Sequence, residues 1–253
     1  MQDILSKVRS DIELRNYSDE TMEAYLRICG KYLEFLGWPE DLGATGEREI
    51  RAFAAHLSGE RGLAPSSVNM YLAAVLFMYE VGLDRPINRR QVPFMKKAKT
   101  LPQIFTREEV TSMVSAATNP KHAAIVSLGY GSGLRVSEVC ALRAADVDSK
   151  RMRLRVACGK GAKERWTLLS ETSLALLRDY WRAVRPSHPE GWLLLGPYGY
   201  THISESAARD ALARCMALAG VPKDGRTFHS LRYRNRQIIA TFAEEPCFVC
   251  PAA

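Results

Sequence analysis

The chain has 253 residues, of which 47% are apolar and 25% are charged, as in an ordinary globular protein. This length allows one large domain or two smaller ones, with enough apolar residues to bury a core. No apolar run reaches the roughly 18 to 20 residues of a membrane span, and the N-terminus lacks a signal-peptide pattern. The composition therefore argues against an integral membrane protein and predicts a cytoplasmic location.

The six cysteines lie at irregular positions, which is typical of reduced thiols and not of a secreted disulfide scaffold. Cys247 and Cys250 have C-x-x-C spacing, but no second Cys or His pair follows them, so a metal or redox site is not favoured. The net charge of +7 is uneven, with −5 in residues 1–83, +5 in residues 84–105 and +7 in residues 106–253. The basic second half suggests an anionic partner such as DNA, and a solvated basic surface is the alternative.

Residues 1–83 show helical periodicity and no strand pattern. Ser18 is a typical N-cap for one helix, and Pro65 is a typical first-turn residue for another. A shorter amphipathic stretch lies between them, from about Arg48 to Leu57. We therefore predict a bundle of four helices over residues 1–83.

Residues 84–105 interrupt this pattern with three prolines and a run of basic side chains. The basic residues are Arg85, Arg89, Arg90, Lys96, Lys97 and Lys99. Because proline breaks regular structure, we predict an inter-domain linker over this stretch. A basic connector suits a phosphate backbone, and a solvated charge run is the alternative.

Residues 106–253 combine helical and strand patterns. Thr106 to Glu109 forms a capping-box signature, and Asn119-Pro120, Ser170 and Ser204 are typical helix starts. The segment from Arg151 to Val156 alternates basic and apolar residues, which predicts a half-buried strand, and Trp166 to Leu168 can return as the second strand of a hairpin. These patterns predict a mixed α+β domain.

Three segments of this second domain carry candidate chemistry. Arg135 stands where a glycine-rich turn enters a helix, and the alternative is an ordinary ion pair with Glu138. Lys160 lies at the hairpin tip, where a plain solvated turn is the alternative. His229 and Arg232 are three residues apart and share one face if helical, although a structural hydrogen bond would also explain the histidine.

In this order and at these separations, the three segments resemble the catalytic boxes of tyrosine recombinases, the integrase family that includes the Xer-type resolvases. The resemblance extends upstream to Asn16–Leu36 and Ala64–Tyr79, which are similar to the family's helical core-binding domain. It implies a mainly α fold with a small β-hairpin or sheet. The implied organisation is a SAM-like DNA-binding domain at residues 1–83, a basic linker at 84–105 and a catalytic domain at 106–253 that is incomplete at its C-terminus.

The resemblance also implies a mechanism and partners. Arg135 and Arg232 would grip the scissile phosphate, His229 would assist them, Lys160 would protonate the leaving 5′-oxygen, and Glu138 would hold Arg135 in place. No metal or other cofactor is expected, because a covalent phosphotyrosyl bond would conserve the bond energy. The partners would be double-stranded DNA and other recombinase subunits in a synaptic tetramer. The residues expected to contact DNA are Ser66, Ser67, Asn69, Arg89, Arg90, Lys96 and Lys97.

The resemblance ends after Arg232, before the family's nucleophilic tyrosine. Tyr233 directly follows Arg232, so on a helix it would point roughly 100° away from the phosphate-binding face. We interpret the remaining 21 residues as the product of a truncated or frameshifted coding sequence. Three hypotheses follow: a recombinase unable to cleave DNA alone, a non-catalytic accessory or competitor protein, and an enzyme that receives its tyrosine from another chain. The biological setting, whether a phage, another mobile element or chromosome resolution, stays open.

Overall fold

The computed structural model of the chain describes residues 2–96, 103–157 and 164–232. The chain divides into two compact units, Met1–Thr100 and Leu101–Ala253. Most described residues are helical, and a small antiparallel sheet lies in the second unit. The predicted fold class, mainly α with a small sheet, is confirmed. Within the described ranges, no helix is long and apolar enough to cross a membrane.

The first unit is built from four helices. They are α1 (Gln2–Leu14), α2 (Asp19–Phe35), α3 (Glu47–Gly59) and α4 (Pro65–Gly82). The side chain of Ser18 caps α2 by accepting a hydrogen bond from the Thr21 amide, and Pro65 occupies the first turn of α4, as predicted. The α4 helix contacts the other three, and most of its side chains are buried because it lies at the centre of the bundle. Tyr32 and Tyr79 meet there through their hydroxyl groups, 3.0 Å apart.

The predicted linker begins later in the structure than the sequence suggested. Arg85 donates hydrogen bonds to the carbonyl oxygens of Gly43 and Thr45, at 2.6 and 2.8 Å. Ile87 and Val92 are buried in the core of the helical bundle. The first half of residues 84–105 is therefore packed against the first unit. The proline and charge pattern concealed this because the apolar residues among the basic ones show no periodicity.

The second unit mixes helices with short strands. Its helices are α5 (Arg107–Ala116), α6 (Pro120–Gly131), α7 (Val136–Cys140), α8 (Glu171–Val184) and α9 (Glu205–Leu218), and residues 228–232 are also helical. Thr106 and Glu109 form the predicted capping box at the start of α5. The side chains of Asn119, Ser170 and Ser204 cap α6, α8 and α9. Each predicted helix start is confirmed, because caps depend on neighbouring residues alone.

The sheet has three antiparallel strands in the order β1-β2-β3. They are β1 (Val147–Asp148), β2 (Arg153–Val156) and β3 (Arg165–Leu168). Leu154 and Val156 point into the core, and Val156 pairs with Arg165 across the hairpin. The hairpin was predicted from the sequence, whereas the two-residue strand β1 was not.

Helix α6 is the central element of the second unit and positions the helical segment at residues 228–232. It packs against α5, α8 and α9. A Cβ atom built on Gly129 would lie 2.9 Å from the Cδ1 atom of Leu231 and 2.9 Å from two ring atoms of Phe228. Because any larger residue at position 129 would clash with Phe228 and Leu231, only a glycine allows α6 to pack this closely against residues 228–232.

Candidate functional site

A cleft of about 440 Å³ in the second unit gathers three of the predicted site residues. Arg135, His229 and Arg232 all line it, although 94 positions of sequence separate the first two. The remaining lining residues are Leu134, Val136, Ser137, Glu205, Arg209, Thr227 and Phe228. The fold therefore brings the first and third candidate segments together.

Arg135 stands at the N-cap position of α7 and is fixed there by Glu138. The Arg135 amide donates to Oε2 of Glu138 at 2.8 Å, and the Arg135 guanidinium donates through Nη1 to Oε1 at 2.6 Å. The Glu138 side chain is 3% exposed and that of Arg135 is 37% exposed. The carboxylate is thus buried beneath a guanidinium that reaches the cleft.

Arg165, at the start of β3, is a second partner of Glu138. Its Nη1 donates to Oε1 at 2.9 Å and its Nη2 donates to Oε2 at 2.7 Å. This paired geometry is the strong form of an arginine–carboxylate contact. Sequence reasoning missed Arg165, because the predicted return strand began at Trp166 and its apolar residues Trp166 and Leu168 suggested that Arg165 faces solvent.

The electrostatics of Glu138 follow from these two arginines. Burial on its own would raise the pKa of Glu138, but hydrogen bonds from Arg165 and from the amide and side chain of Arg135 outweigh it. The pKa of Glu138 is consequently lowered to about 2. The group is a carboxylate at any physiological pH, and it fixes two guanidinium groups in one cluster.

His229 and Arg232 belong to one short helical stretch, residues 228–232, and line the cleft from one side. His229 is exposed and Arg232 is half-buried. The amide of Thr227 donates to Oγ of Ser230 at 3.1 Å, which closes the first turn of this stretch. The predicted arrangement of an imidazole and a guanidinium on one helical face is compatible with this backbone.

Arg226, immediately before this stretch, is an anchor that sequence reasoning also missed. Its Nη1 donates to both carboxylate oxygens of Glu109, each at 2.8 Å, and its Nη2 donates to the carbonyl oxygen of Pro222 at 2.8 Å. The guanidinium carbon lies 4.8 Å from the centre of the Phe105 ring. Arg226 therefore ties the chain that leads into His229 to the start of α5.

Helix α9 adds one further guanidinium to the cleft. Arg209 lines it together with Glu205, one turn earlier, and the two side chains form an ion pair. Both residues lie on the helix that Ser204 caps, and their position in the lining assigns them no contact with a ligand. Within the described ranges, no group of three or more metal-ligand side chains occurs.

The other predicted residues fall into three groups. Lys160 and Lys97, like Tyr233, Cys247 and Cys250, lie outside the described residues. Ser66, Arg89, Arg90 and Lys96 are exposed on the first unit, and Ser67 is half-buried. Their predicted contacts with DNA stay predictions.

Asn69 has a different environment from the one expected of a DNA contact. Its Nδ2 donates to the carbonyl oxygen of Met95 at 2.9 Å, and its Oδ1 accepts from the Met95 amide at 2.7 Å. The residue is 8% exposed. Because both ends of the amide hold the backbone of Met95, Asn69 has a structural role in the first unit, and its predicted contact with DNA stays a prediction.

Comparisons with known proteins agree with this architecture. The model of the phage integrase N-terminal SAM-like domain matches residues 4–89, and the model of the phage integrase family matches residues 103–238. The integrase/recombinase-type protein y4qK of Sinorhizobium fredii is 36% identical over 234 residues, covering 92% of this chain and 74% of the relative. Tyrosine recombinase XerA of Pyrococcus horikoshii is 33% identical, covering 74% of this chain and 63% of the relative.

Solved structures share the fold at lower identity. A lambda integrase dimer bound to a COC′ core site matches with a TM-score of 0.72 and 17% identity, covering 96% of this chain and 89% of that one. XerH recombinase bound to its difH substrate before cleavage matches with a TM-score of 0.70 and 17% identity, covering 94% and 74%. At this identity the likeness concerns the fold.

Proposed function

The chain belongs to the phage integrase family of tyrosine recombinases, and we propose that the cleft of its second unit grips a phosphodiester of duplex DNA between Arg135 and Arg232. The observation that carries this proposal is the meeting of Arg135, His229 and Arg232 in one cleft. These residues come from distant parts of the sequence, and their chemistry matches one anionic ligand. Solved relatives bound to DNA agree with such a ligand.

The chemistry of this cleft suits a phosphate. A guanidinium presents parallel N–H donors that match two oxygens of a phosphoryl group, and it stays charged at every relevant pH. Two such groups would balance the negative charge that grows on the non-bridging oxygens during strand transfer. His229, exposed beside them, would donate an additional hydrogen bond to the same oxygens.

The remaining steps involve groups outside the described residues. Lys160 would donate the proton that the leaving 5′-oxygen takes up as the P–O bond breaks, and no metal or nucleotide would take part. No tyrosine is among the described residues that line the cleft. We therefore assign the attack on phosphorus to a tyrosine beyond them, from this chain or from another recombinase subunit of a synaptic assembly.

The first unit would contribute contacts that position the duplex but do not involve the scissile phosphate. Ser66 near the start of α4 and the basic residues Arg89, Arg90 and Lys96 are exposed and are chemically suited to phosphate oxygens. Lys97 would extend the same basic stretch. We thus extend the expected role of residues 1–83 to include the packed segment that follows them. We also propose a cytoplasmic location, because the proposed ligand is DNA.

Salt-dependent DNA binding tests the phosphate grip, by which we mean the proposed contact of Arg135 and Arg232 with one phosphodiester. Fluorescence anisotropy of a mixed-sequence duplex, from about 50 to 200 mM salt, gives the slope of log K against log salt, to which each neutralised phosphate contributes about −0.9. We expect Arg135→Ala and Arg232→Ala each to make this slope shallower by about one. Arg182→Ala is the matched control, because it removes one charge from a side chain of α8 that is 73% exposed. A wild-type protein without salt-dependent binding would contradict the proposal.

A nicked suicide substrate tests cleavage. A covalent adduct with the purified chain alone would mean that it supplies its own tyrosine. An adduct that needs an added family member would mean that the tyrosine comes from another subunit. Salt-sensitive binding without any adduct would favour an accessory or competitor protein, which would still use the phosphate grip.

A further inference from the structure

We propose that Arg165 is a positioning residue for the phosphate cleft: it holds the Glu138 carboxylate so that Arg135 bonds it through one nitrogen and presents the rest of its guanidinium to the ligand. This inference rests on the proposed function for its ligand, a DNA phosphate. It goes beyond the paired role of Arg135 and Glu138, because it assigns the orientation of Arg135 to a third residue on another element.

The geometry of the shared carboxylate carries the inference. Arg165 occupies both oxygens of Glu138 with its two terminal nitrogens, at 2.9 and 2.7 Å. Arg135 reaches only Oε1 with its side chain, at 2.6 Å, and contacts Oε2 through its backbone amide at 2.8 Å. Arg165 therefore makes the paired, two-bond contact with the carboxylate. The guanidinium of Arg135 is left with a single hydrogen bond to it.

Competition between the two arginines gives Arg165 its effect. A carboxylate and a guanidinium prefer the paired, two-bond geometry, and Glu138 is too buried to turn toward water. Without Arg165, the preferred arrangement of Arg135 would be to place two nitrogens on Glu138. That rotation would turn its guanidinium away from the cleft, where it is 37% exposed at present.

The same contact links Arg135 to the hairpin. Arg165 is the first residue of β3 and pairs with Val156 of β2, so it closes the described base of the hairpin. The chain between these strands contains Lys160. Glu138 thus joins the element that carries Arg135 to the described base of the hairpin through Arg165.

Arginine side-chain NMR tests the positioning directly and needs no DNA. In ¹⁵N-labelled protein, the Arg135 Nε–H signal is identified by its disappearance in Arg135→Lys. We expect Arg165→Gln to shift this signal while most backbone amide signals keep their positions. Arg165→Lys, which restores the charge but not the paired geometry, should restore it only in part. An Arg135 signal that does not change in Arg165→Gln would overturn the inference.

The matched control for the NMR measurement is Arg155→Gln. Arg155 lies on the neighbouring strand and donates from Nε to the buried carboxylate of Asp146 at 2.9 Å, with an exposure of 40% against 34% for Arg165. It does not contact Glu138 within the described structure. A shift of the Arg135 signal in Arg155→Gln as large as in Arg165→Gln would mean that removing any ion pair of the sheet disturbs the site, and would also overturn the inference.

A double-mutant cycle on DNA binding then connects position to function. We expect Arg165→Gln to weaken binding of the duplex about tenfold, and to have little further effect when Arg135 is already replaced by Ala, because both changes act on the same phosphate contact. Full additivity would overturn the inference while leaving the phosphate grip intact. If the wild type does not bind DNA, the proposed function fails, and the NMR measurement still decides whether Arg165 orients Arg135.

Discussion

Arg226 and Glu109 form an ion pair across 117 positions of sequence, in which one guanidinium nitrogen donates to both carboxylate oxygens at 2.8 Å. Arg226 is almost fully buried, and hydrogen bonds from its guanidinium, followed by one from the Thr106 amide, lower the pKa of Glu109. Glu109 therefore serves both the capping box of α5 and the chain that leads into His229. Two local structures depend on one carboxylate.

Replacing Arg226 by Met should destabilise the second unit. The methionine keeps an apolar stem over Phe105 but removes the donors to Glu109 and Pro222, so we expect a decrease of roughly 2 to 3 kcal/mol in the free energy of unfolding. Urea denaturation measures it. Arg182→Ala, whose exposed ion pair with Asp179 contributes little, should change stability by less than about 0.5 kcal/mol. Equal stability of Arg226→Met and wild type would contradict this role.

Replacing Gly129 by Ala should displace the helical segment at residues 228–232, which carries two of the cleft residues. The new methyl group would lie 2.9 Å from Phe228 and Leu231, which overpacks the contact between α6 and residues 228–232. We expect a decrease of about 1 to 3 kcal/mol in stability and weaker DNA binding, because His229 moves with this segment. Gly30→Ala is the control: nothing lies within 4 Å of its Cβ position in α2, so it should stabilise by about 0.5 to 1 kcal/mol. The prediction fails if both variants behave alike.

Replacing Asn69 by Ala should affect stability more than DNA affinity. The substitution leaves the amide and carbonyl of Met95 without their partner, which should cost about 1 to 3 kcal/mol and expose the following chain to limited proteolysis. Ser66→Ala, at an exposed position of the same helix, should do the reverse and weaken DNA binding without a change in stability. The paired measurements are urea midpoints and anisotropy, and an unstable Ser66→Ala beside an unaffected Asn69→Ala would refute the assignment.

The depressed pKa of Glu138 predicts a defined acid sensitivity. Because its folded pKa is about 2 against an ordinary 4.5, its contribution to stability is present above pH 4.5 and is lost as the pH falls toward 2. The linked free energy is on the order of 3 kcal/mol. The difference in unfolding free energy between wild type and Glu138→Gln should shrink over this window, while Glu109 titrates in both proteins and cancels. A pH-independent difference would contradict the predicted titration of Glu138.

The features that sequence could predict are those decided by adjacent residues. The capping box at Thr106 and the helix start at Ser170 depend on side chains within one turn, so their pattern is visible in the sequence. The family resemblance added the expectation that Arg135 and Arg232 act on one ligand, and the structure places both at the same cleft. Local chemistry and family resemblance thus predicted three of the residues that line this cleft, Arg135, His229 and Arg232.

The features that sequence could not predict depend on contacts between residues that are distant in the sequence. Arg165 meets Glu138 across 27 positions, and Asn69 meets Met95 across 26. Nothing in the neighbourhood of either residue marks its partner, since an arginine on a strand or an asparagine on a helix is equally suited to solvent. The strand β1, only two residues long, exists because it pairs with β2 and has no periodicity of its own.

The shared carboxylate of Glu138 has a consequence for the protein when its cleft is empty. One negative charge faces two guanidinium groups, Arg135 and Arg165, so the cluster retains one positive charge. An oxyanion that reaches Arg135 supplies the missing negative charge and relieves the repulsion between the two cations. We therefore expect binding of an oxyanion to stabilise the fold, so that even inorganic sulfate should raise the melting temperature, with a smaller effect in Arg135→Ala. On this account the ligand-free protein has a lower melting temperature than the oxyanion-bound protein.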